Sequence, residues 1–214
     1  MSSATHSQDE INNGLRAVLG HPVIYNFFGR IAGMPGKYRM YIGKFMKPVD
    51  NMRILDIGCG TSTILDYLPS SVFYEGYDIN PAYINFAEKK YGHRAVFHNK
   101  RVNQMTLLKS EPYDVILADG LVHHLNDSEA KKLFQIGYKS LKKNGFMLTS
   151  DPAFIENQNR IAKFISSIDR GRHVRFPKDY SKIAESSFAN IETHIIHDIG
   201  TVPMTACILK CWKD

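Results

Sequence analysis

The chain has 214 residues, 43% of them hydrophobic and 22% charged, which fits one soluble globular domain, or one with a small cap, able to bury its own core. The net charge of +6 permits an acidic substrate or nucleic acid and demands neither. No apolar run approaches the roughly 20 residues of a membrane span, so no membrane insertion is expected.

Residues 1–10 are polar, lack the apolar stretch of a secretory signal, and read as a frayed tail. Residues 11–48 read as N-terminal cap helices. Val23, Phe27, Phe28 and Ile31 recur at helical spacing, Pro35-Gly36 breaks the pattern, Lys37 to Met46 suggests another helix, and Pro48 closes the segment. From residue 49 to 214 strands and helices alternate. A strand at 53–58 leads to a short helix at about 61–68. A strand at 72–77 leads to a helix at 81–91, with Asn80 as N-cap, Pro81 in the first turn and Gly92 as the stop. Ala95-Val96-Phe97 and 113–118 are the third and fourth strands. Asn126 and Glu129 form a capping box before a helix that faces Ala130, Leu133, Phe134 and Leu141 inward. Asn144-Gly145 turns into a fifth strand at 146–149. Ile161, Phe164, Ile165 and Ile168 mark the next helical face, and 180–187 is a further short helix. The runs 188–197 and 204–212 have no helix between them, so they read as an antiparallel hairpin at the sheet edge. The predicted fold is α/β: a doubly wound, mostly parallel seven-stranded sheet with helices on both faces, that hairpin, the cap helices, and a substrate-side insertion at about 152–187.

The run Ile54-Leu55-Asp56-Ile57-Gly58-Cys59-Gly60 reads as a buried strand ending in a glycine turn, where bare backbone can approach a ligand. Eighteen residues after Gly60 the second strand ends in Asp78. A glycine turn followed by an acid at the end of the next strand is how doubly wound folds hold a nucleoside, at the carboxyl ends of the strands.

These residues, with Gly76-Tyr77-Asp78-Ile79-Asn80, the fourth-strand segment from Tyr113 to Leu125 and Leu141-Lys142-Lys143-Asn144-Gly145-Phe146, resemble the class I S-adenosylmethionine-dependent methyltransferases, in particular small bacterial-type members of unassigned substrate. The resemblance covers about residues 50–151 and the terminal hairpin. It implies S-adenosyl-L-methionine as cofactor and S-adenosyl-L-homocysteine as product. Asp56, Gly58, Cys59 and Gly60 would pass under the methionine and ribose, Asp78 would accept the ribose hydroxyls, and Ile79 would pack on the adenine. Asp119, Gly120 and Leu121 would lie against the methionine end, and Tyr25 would close over the cofactor. The chain departs from the family after the third strand. Where an acid commonly meets the adenine amino group, Arg101 and Val102 stand instead, and a backbone carbonyl or Asn103 could accept that bond.

Methyl transfer needs mainly an aligned nucleophile, and a base only if the acceptor loses a proton. His123 and His124 are the candidate catalytic bases. Asp151, at the end of the fifth strand, could bind an acceptor hydroxyl. Arg170, His173 and Arg175 belong to a basic loop that could attract a carboxylate or phosphate. No further acid gathers with Asp119 and Asp151, so no metal is expected.

The expected function is methylation of a small-molecule acceptor, through oxygen or nitrogen, in which an anionic acceptor would suit the basic loop. The alternatives are a nucleic-acid methyltransferase and a non-catalytic S-adenosylmethionine-binding protein. Against the first, Ala118-Asp119-Gly120-Leu121 is not the Pro-Pro-aromatic motif used on exocyclic base amines, and no basic tail is present. An NAD enzyme would want a third glycine where Thr63 stands. Three cysteines without zinc spacing, with Cys207 and Cys211 roughly 13 Å apart along a strand, suggest a reducing compartment and hence the cytoplasm.

Overall fold

The computed structural model describes residues 33–102, 110–167, 171–197 and 203–214, together with Pro22 and Asn26. Helix α1 (Met34–Met40) runs directly into a wider π-helical stretch, Tyr41–Met46. Pro35 lies in the first turn of α1, so the second predicted helix begins at Met34 and not at Lys37. The stripe from Val23 to Ile31 lies outside the described residues.

Strands β1 (Arg53–Ile57), β2 (Phe73–Asp78), β3 (Ala95–Asn99), β4 (Tyr113–Asp119), β5 (Leu141–Pro152), β6 (Asn190–His197) and β7 (Thr205–Trp212) form one sheet in the order β3-β2-β1-β4-β5-β7-β6. The first five pair in parallel, and β7 pairs antiparallel with both β5 and β6. This is the predicted doubly wound sheet with its closing hairpin. The fifth strand is longer than expected, because Leu141 already pairs with Tyr113. The register then shifts, with Asn144 at φ 61, before Phe146 pairs with Val115.

Alternation along the central strands splits the core between the two faces. Leu55, Ile57, Ile116, Ala118 and Met147 pack with α3 (Asp127–Ser140) and α5 (Pro177–Ala184). Ile54, Val115, Leu117 and Leu148 pack with the π-helical stretch and α2 (Pro81–Tyr91). The predicted caps are present: Asn80 accepts from Ala82, and Asn126 accepts from the Glu129 amide. The helix expected at 61–68 is a single 3-10 turn, Thr63–Asp66. Helix α4 (Arg160–Ser167) buries Ala162 and Ser166 with Ile165 half-buried beside them, and turns Ile161 and Phe164 outward, so only part of the predicted apolar face packs inward; Ile168 lies outside the described residues. Among the described residues no helix is long and apolar enough to cross a membrane.

Candidate cofactor and active site

A cavity of about 510 Å³ opens at the carboxyl ends of β1, β2 and β4. Its floor is the turn after β1. The Gly58 and Cys59 amides both donate to the Tyr77 carbonyl, at 2.8 and 3.0 Å, which stitches the turn to β2. Gly58 has φ +76, and a Cβ there would lie 3.1 Å from the Leu121 side chain. Gly60 has φ +54 and open space where its Cβ would be. Both conformations favour glycine, and both leave backbone bare toward the cavity.

Asp78 is fixed before any ligand arrives. Oδ2 accepts the Gly60 N–H at 2.9 Å and Oδ1 accepts the Asn80 N–H at 2.8 Å. Ile79, 65% exposed, stands beside it on the cavity wall with Tyr83. Arg101 and Val102 line the same end, and Arg101 pairs with Glu129 at 3.0 Å. The acid on this side is thus contributed by α3 and not by the residue after β3. Asn103 and Tyr25 lie outside the described residues.

At the far end Asp119, Gly120 and Leu121 line the cavity, and Lys37 from α1 reaches Asp119 at 2.6 Å. Asp56 and Cys59 do not face the cavity among the described residues. Asp56 is buried beneath the turn, where the Tyr74 hydroxyl donates to it. Burial raises its pKa to about 7, the charges of Asp119 and Asp78 add to that, and the Tyr74 bond opposes them. Cys59 packs toward Gly76, and burial pushes its thiol well above the usual range.

Of the two histidines, His124 lines the cavity and His123 is buried behind it, their rings 4.1 Å apart. Asp151 accepts the His123 backbone N–H at 3.1 Å and holds His123 Nδ1 at 2.8 Å. Asp151 is itself buried, which removes it as a contact for an acceptor hydroxyl and makes it the anchor of the loop after β4.

The basic loop also differs from its sequence reading. The Arg175 guanidinium donates to the carbonyls of Val122, His173 and Leu125, at 3.2, 2.9 and 2.7 Å, and pairs with Asp127 at 2.7 Å. His173 donates its amide to the His123 carbonyl at 2.9 Å. A planar fork with five donors suits such a cluster of carbonyls, and it leaves the arginine closing a clasp over residues 122–127 in place of receiving an anion. Arg170 lies outside the described residues. None of the described residues of 152–187 lines the cavity; α1 and α3 do, through Met34, Lys37, Glu129, Lys132, Leu133 and Ile136. The α3 set follows helical spacing and was legible as one face. Lys37 carried no signal, since its partner lies 82 residues away. Among the described residues no group of three or more His, Cys, Asp or Glu could hold a metal ion.

Residues 54–145 match a family profile described as a methyltransferase domain. No match was found among curated proteins. Among solved structures, the chain is similar to phosphoethanolamine N-methyltransferase 2 of Haemonchus contortus, solved with phosphomonomethylethanolamine and S-adenosylhomocysteine; the TM-score is 0.70 and the identity 15%, over 93% of this chain and 59% of that one. It is similar to the magnesium protoporphyrin IX methyltransferase of Synechocystis with bound S-adenosylhomocysteine, with TM-score 0.64 and 15% identity, over 92% of this chain and 97% of that one. A possible exported protein of Bordetella parapertussis gives TM-score 0.64 and 15% identity, over 98% and 76%. By its sheet order and its likeness to these structures the chain has the Rossmann-like methyltransferase fold, and its residues 54–145 match the methyltransferase domain.

Proposed function

We propose that the protein binds S-adenosyl-L-methionine in this cavity and methylates a small-molecule acceptor through oxygen or nitrogen. The observation that carries the reading is Asp78, held by two backbone amides beside a bare glycine turn and an exposed Ile79. The residues present fit the donor: Asp78 for the ribose hydroxyls, Ile79 and Tyr83 for the adenine, Gly58, Gly60 and Gly120 for close backbone approach, and Asp119 for the methionine end. When bound, the donor supplies an electrophilic methyl group on a sulfonium. The chain's part is to orient the acceptor and exclude water.

In this reading His124, on the cavity wall, takes a proton from the acceptor, and His123, its ring tilted against that of His124, acts with Asp151 as a positioning group. Leu125, Leu133 and Ile136 give the acceptor side an apolar wall, with Lys132 beside it. With Arg175 spent on protein carbonyls, an anionic acceptor would be met by Lys132 and not by the basic loop.

S-adenosylhomocysteine should raise the melting temperature, because a ligand that binds only the native state stabilises it by mass action. NAD is the control. A shift with NAD and none with S-adenosylhomocysteine overturns the reading.

A further inference from the structure

A second cavity, of about 450 Å³, opens at the other end of the sheet. Arg53, Phe73 and Ala95 begin β1, β2 and β3, so it lies at the amino ends of these parallel strands. Register sets Arg53 opposite Phe73 and Glu75 opposite Val96, so the four share one face of the sheet. Phe73 is 56% and Val96 58% exposed, an apolar pair that the fold leaves bare. Arg94, just before β3, also lines the cavity. Unlike Arg101 and Arg175, neither Arg53 nor Arg94 meets a carboxylate among the described residues. The Arg53 guanidinium stacks on the Tyr113 ring at 5.4 Å, and its side chain makes no hydrogen bond among the described residues. Arg94 spends Nη2 on the Leu68 and Pro69 carbonyls, at 3.2 and 2.9 Å. The Nε of each arginine is buried and has no partner among the described residues. The one acid among the described lining residues is Glu75, and its carboxylate is already met by Tyr77, Tyr113 and His98, at 2.9, 2.6 and 2.8 Å.

We propose that this cavity is a second ligand site, for a small organic anion: a carboxylate or phosphate head on a flat apolar body. A guanidinium is a planar fork of donors matched to an oxyanion, and Arg53 and Arg94 bring two forks to one cavity with donors unspent. An oxyanion there completes hydrogen bonding that the fold leaves unmet. Phe73 and Val96 cover the apolar body and lose their own exposure to water. The volume falls within the range of small-molecule sites. From Phe73 to Asp78, β2 spans roughly 17 Å. A ligand at its amino end is therefore out of reach of a methyl donor at its carboxyl end. It is a second ligand and not the methyl acceptor, and the assignment stands independently of the donor reading.

The test is calorimetric titration of the full chain with phenyl phosphate and with benzoate, which carry the two heads on the same ring. Inorganic phosphate and phenol are the controls for head and ring alone. Wild type should bind at least one of the aromatic anions about tenfold or more tighter than either control, and the tighter of the two names the head. Arg53→Gln should weaken that binding by about ten- to a hundredfold, the worth of one charge-assisted hydrogen bond or more. Because the Arg53 side chain spends no hydrogen bond on the described residues, this variant should keep the wild-type urea midpoint. Arg53→Lys keeps the charge without the fork and should recover only part of the affinity. Phe73→Ser should cut the margin over inorganic phosphate. Saturation with S-adenosylhomocysteine should leave the affinity unchanged, since the donor cavity lies at the other end of the sheet. Equal binding by wild type and Arg53→Gln, displacement by S-adenosylhomocysteine, or no binding of either aromatic anion overturns the assignment.

Discussion

The Gly60 amide donates to the Asp78 carboxylate at 2.9 Å, a bond that spans 18 residues and joins the ends of two strands. In the proposed reading it preorganises the nucleoside site, because the carboxylate is aimed by the backbone of the same turn that would carry the ligand. Asp78→Ala should lower affinity for S-adenosylhomocysteine by about 2–4 kcal/mol, the worth of up to two charge-assisted hydrogen bonds. Asp78→Asn keeps one acceptor oxygen and should lose less. Titration calorimetry on both variants checks the order.

Stability should depend on pH through Asp56. Its folded pKa is raised from 3.8 to about 7, so between these values the folded state holds the proton more tightly than the unfolded state. Folding stability from this group is therefore fully present below about 4, falls as pH rises toward 7, and stays lost above it. The full span is on the order of 4 kcal/mol as an upper bound. Asp56→Asn keeps an acceptor for Tyr74 and removes the charge. It should match wild type near pH 4 and exceed it near pH 8, as read from urea unfolding at the two pH values. A variant that gains equally at both would separate Asp56 from the pH dependence.

Arg175→Ala should destabilise the fold by at least about 2 kcal/mol, since it strips donors from three carbonyls at once. Arg175→Lys should rescue little, because a single ammonium cannot span the cluster. If Arg175→Ala unfolds at the wild-type urea midpoint, the clasp is not structural.

The buried His123–Asp151 pair predicts a similar loss. Asp151→Ala leaves a backbone amide and a ring nitrogen of His123 facing a buried space, and should cost about 3–5 kcal/mol by chemical unfolding. A loss under 1 kcal/mol would mean that the loop after β4 is held by Arg175 alone.

Gly58→Ala combines a left-handed backbone with a Cβ 3.1 Å from Leu121, and should cost about 1–2 kcal/mol or more. Adding Leu121→Ala relieves the contact and leaves the backbone strain, so the double variant should recover part of the effect relative to Leu121→Ala alone. Additive losses would show that the contact is already slack.

The succession of strands and helices and the glycine turn were legible because they depend on local pattern: apolar runs between turn residues, a capping Asn, a glycine turn. Arg175 and Asp151 were legible as residues and misread in role. Charge and a place near the strand ends suggest a binding loop, but whether a guanidinium faces solvent or three carbonyls is decided by segments 50 residues apart. Lys37 shows the same limit from the other side, since nothing near it in sequence distinguishes it from a solvated lysine. Helix α4 was legible only in part, because Ile161 and Phe164 face outward while Ala162 and Ser166 are the residues it buries.

The position of β7 has a consequence in time. It follows β6 along the chain, yet lies between β5 and β6 in the sheet. When synthesis has passed β6, that strand has no neighbour to pair with, and β5 still presents an open edge beside the site. Residues Thr205–Trp212 close both gaps in one insertion. A ribosome-bound chain stalled before Thr205 therefore carries every residue of the glycine turn and of the cavity wall but only five of its seven strands in register, with an unpaired edge exposed to other nascent chains.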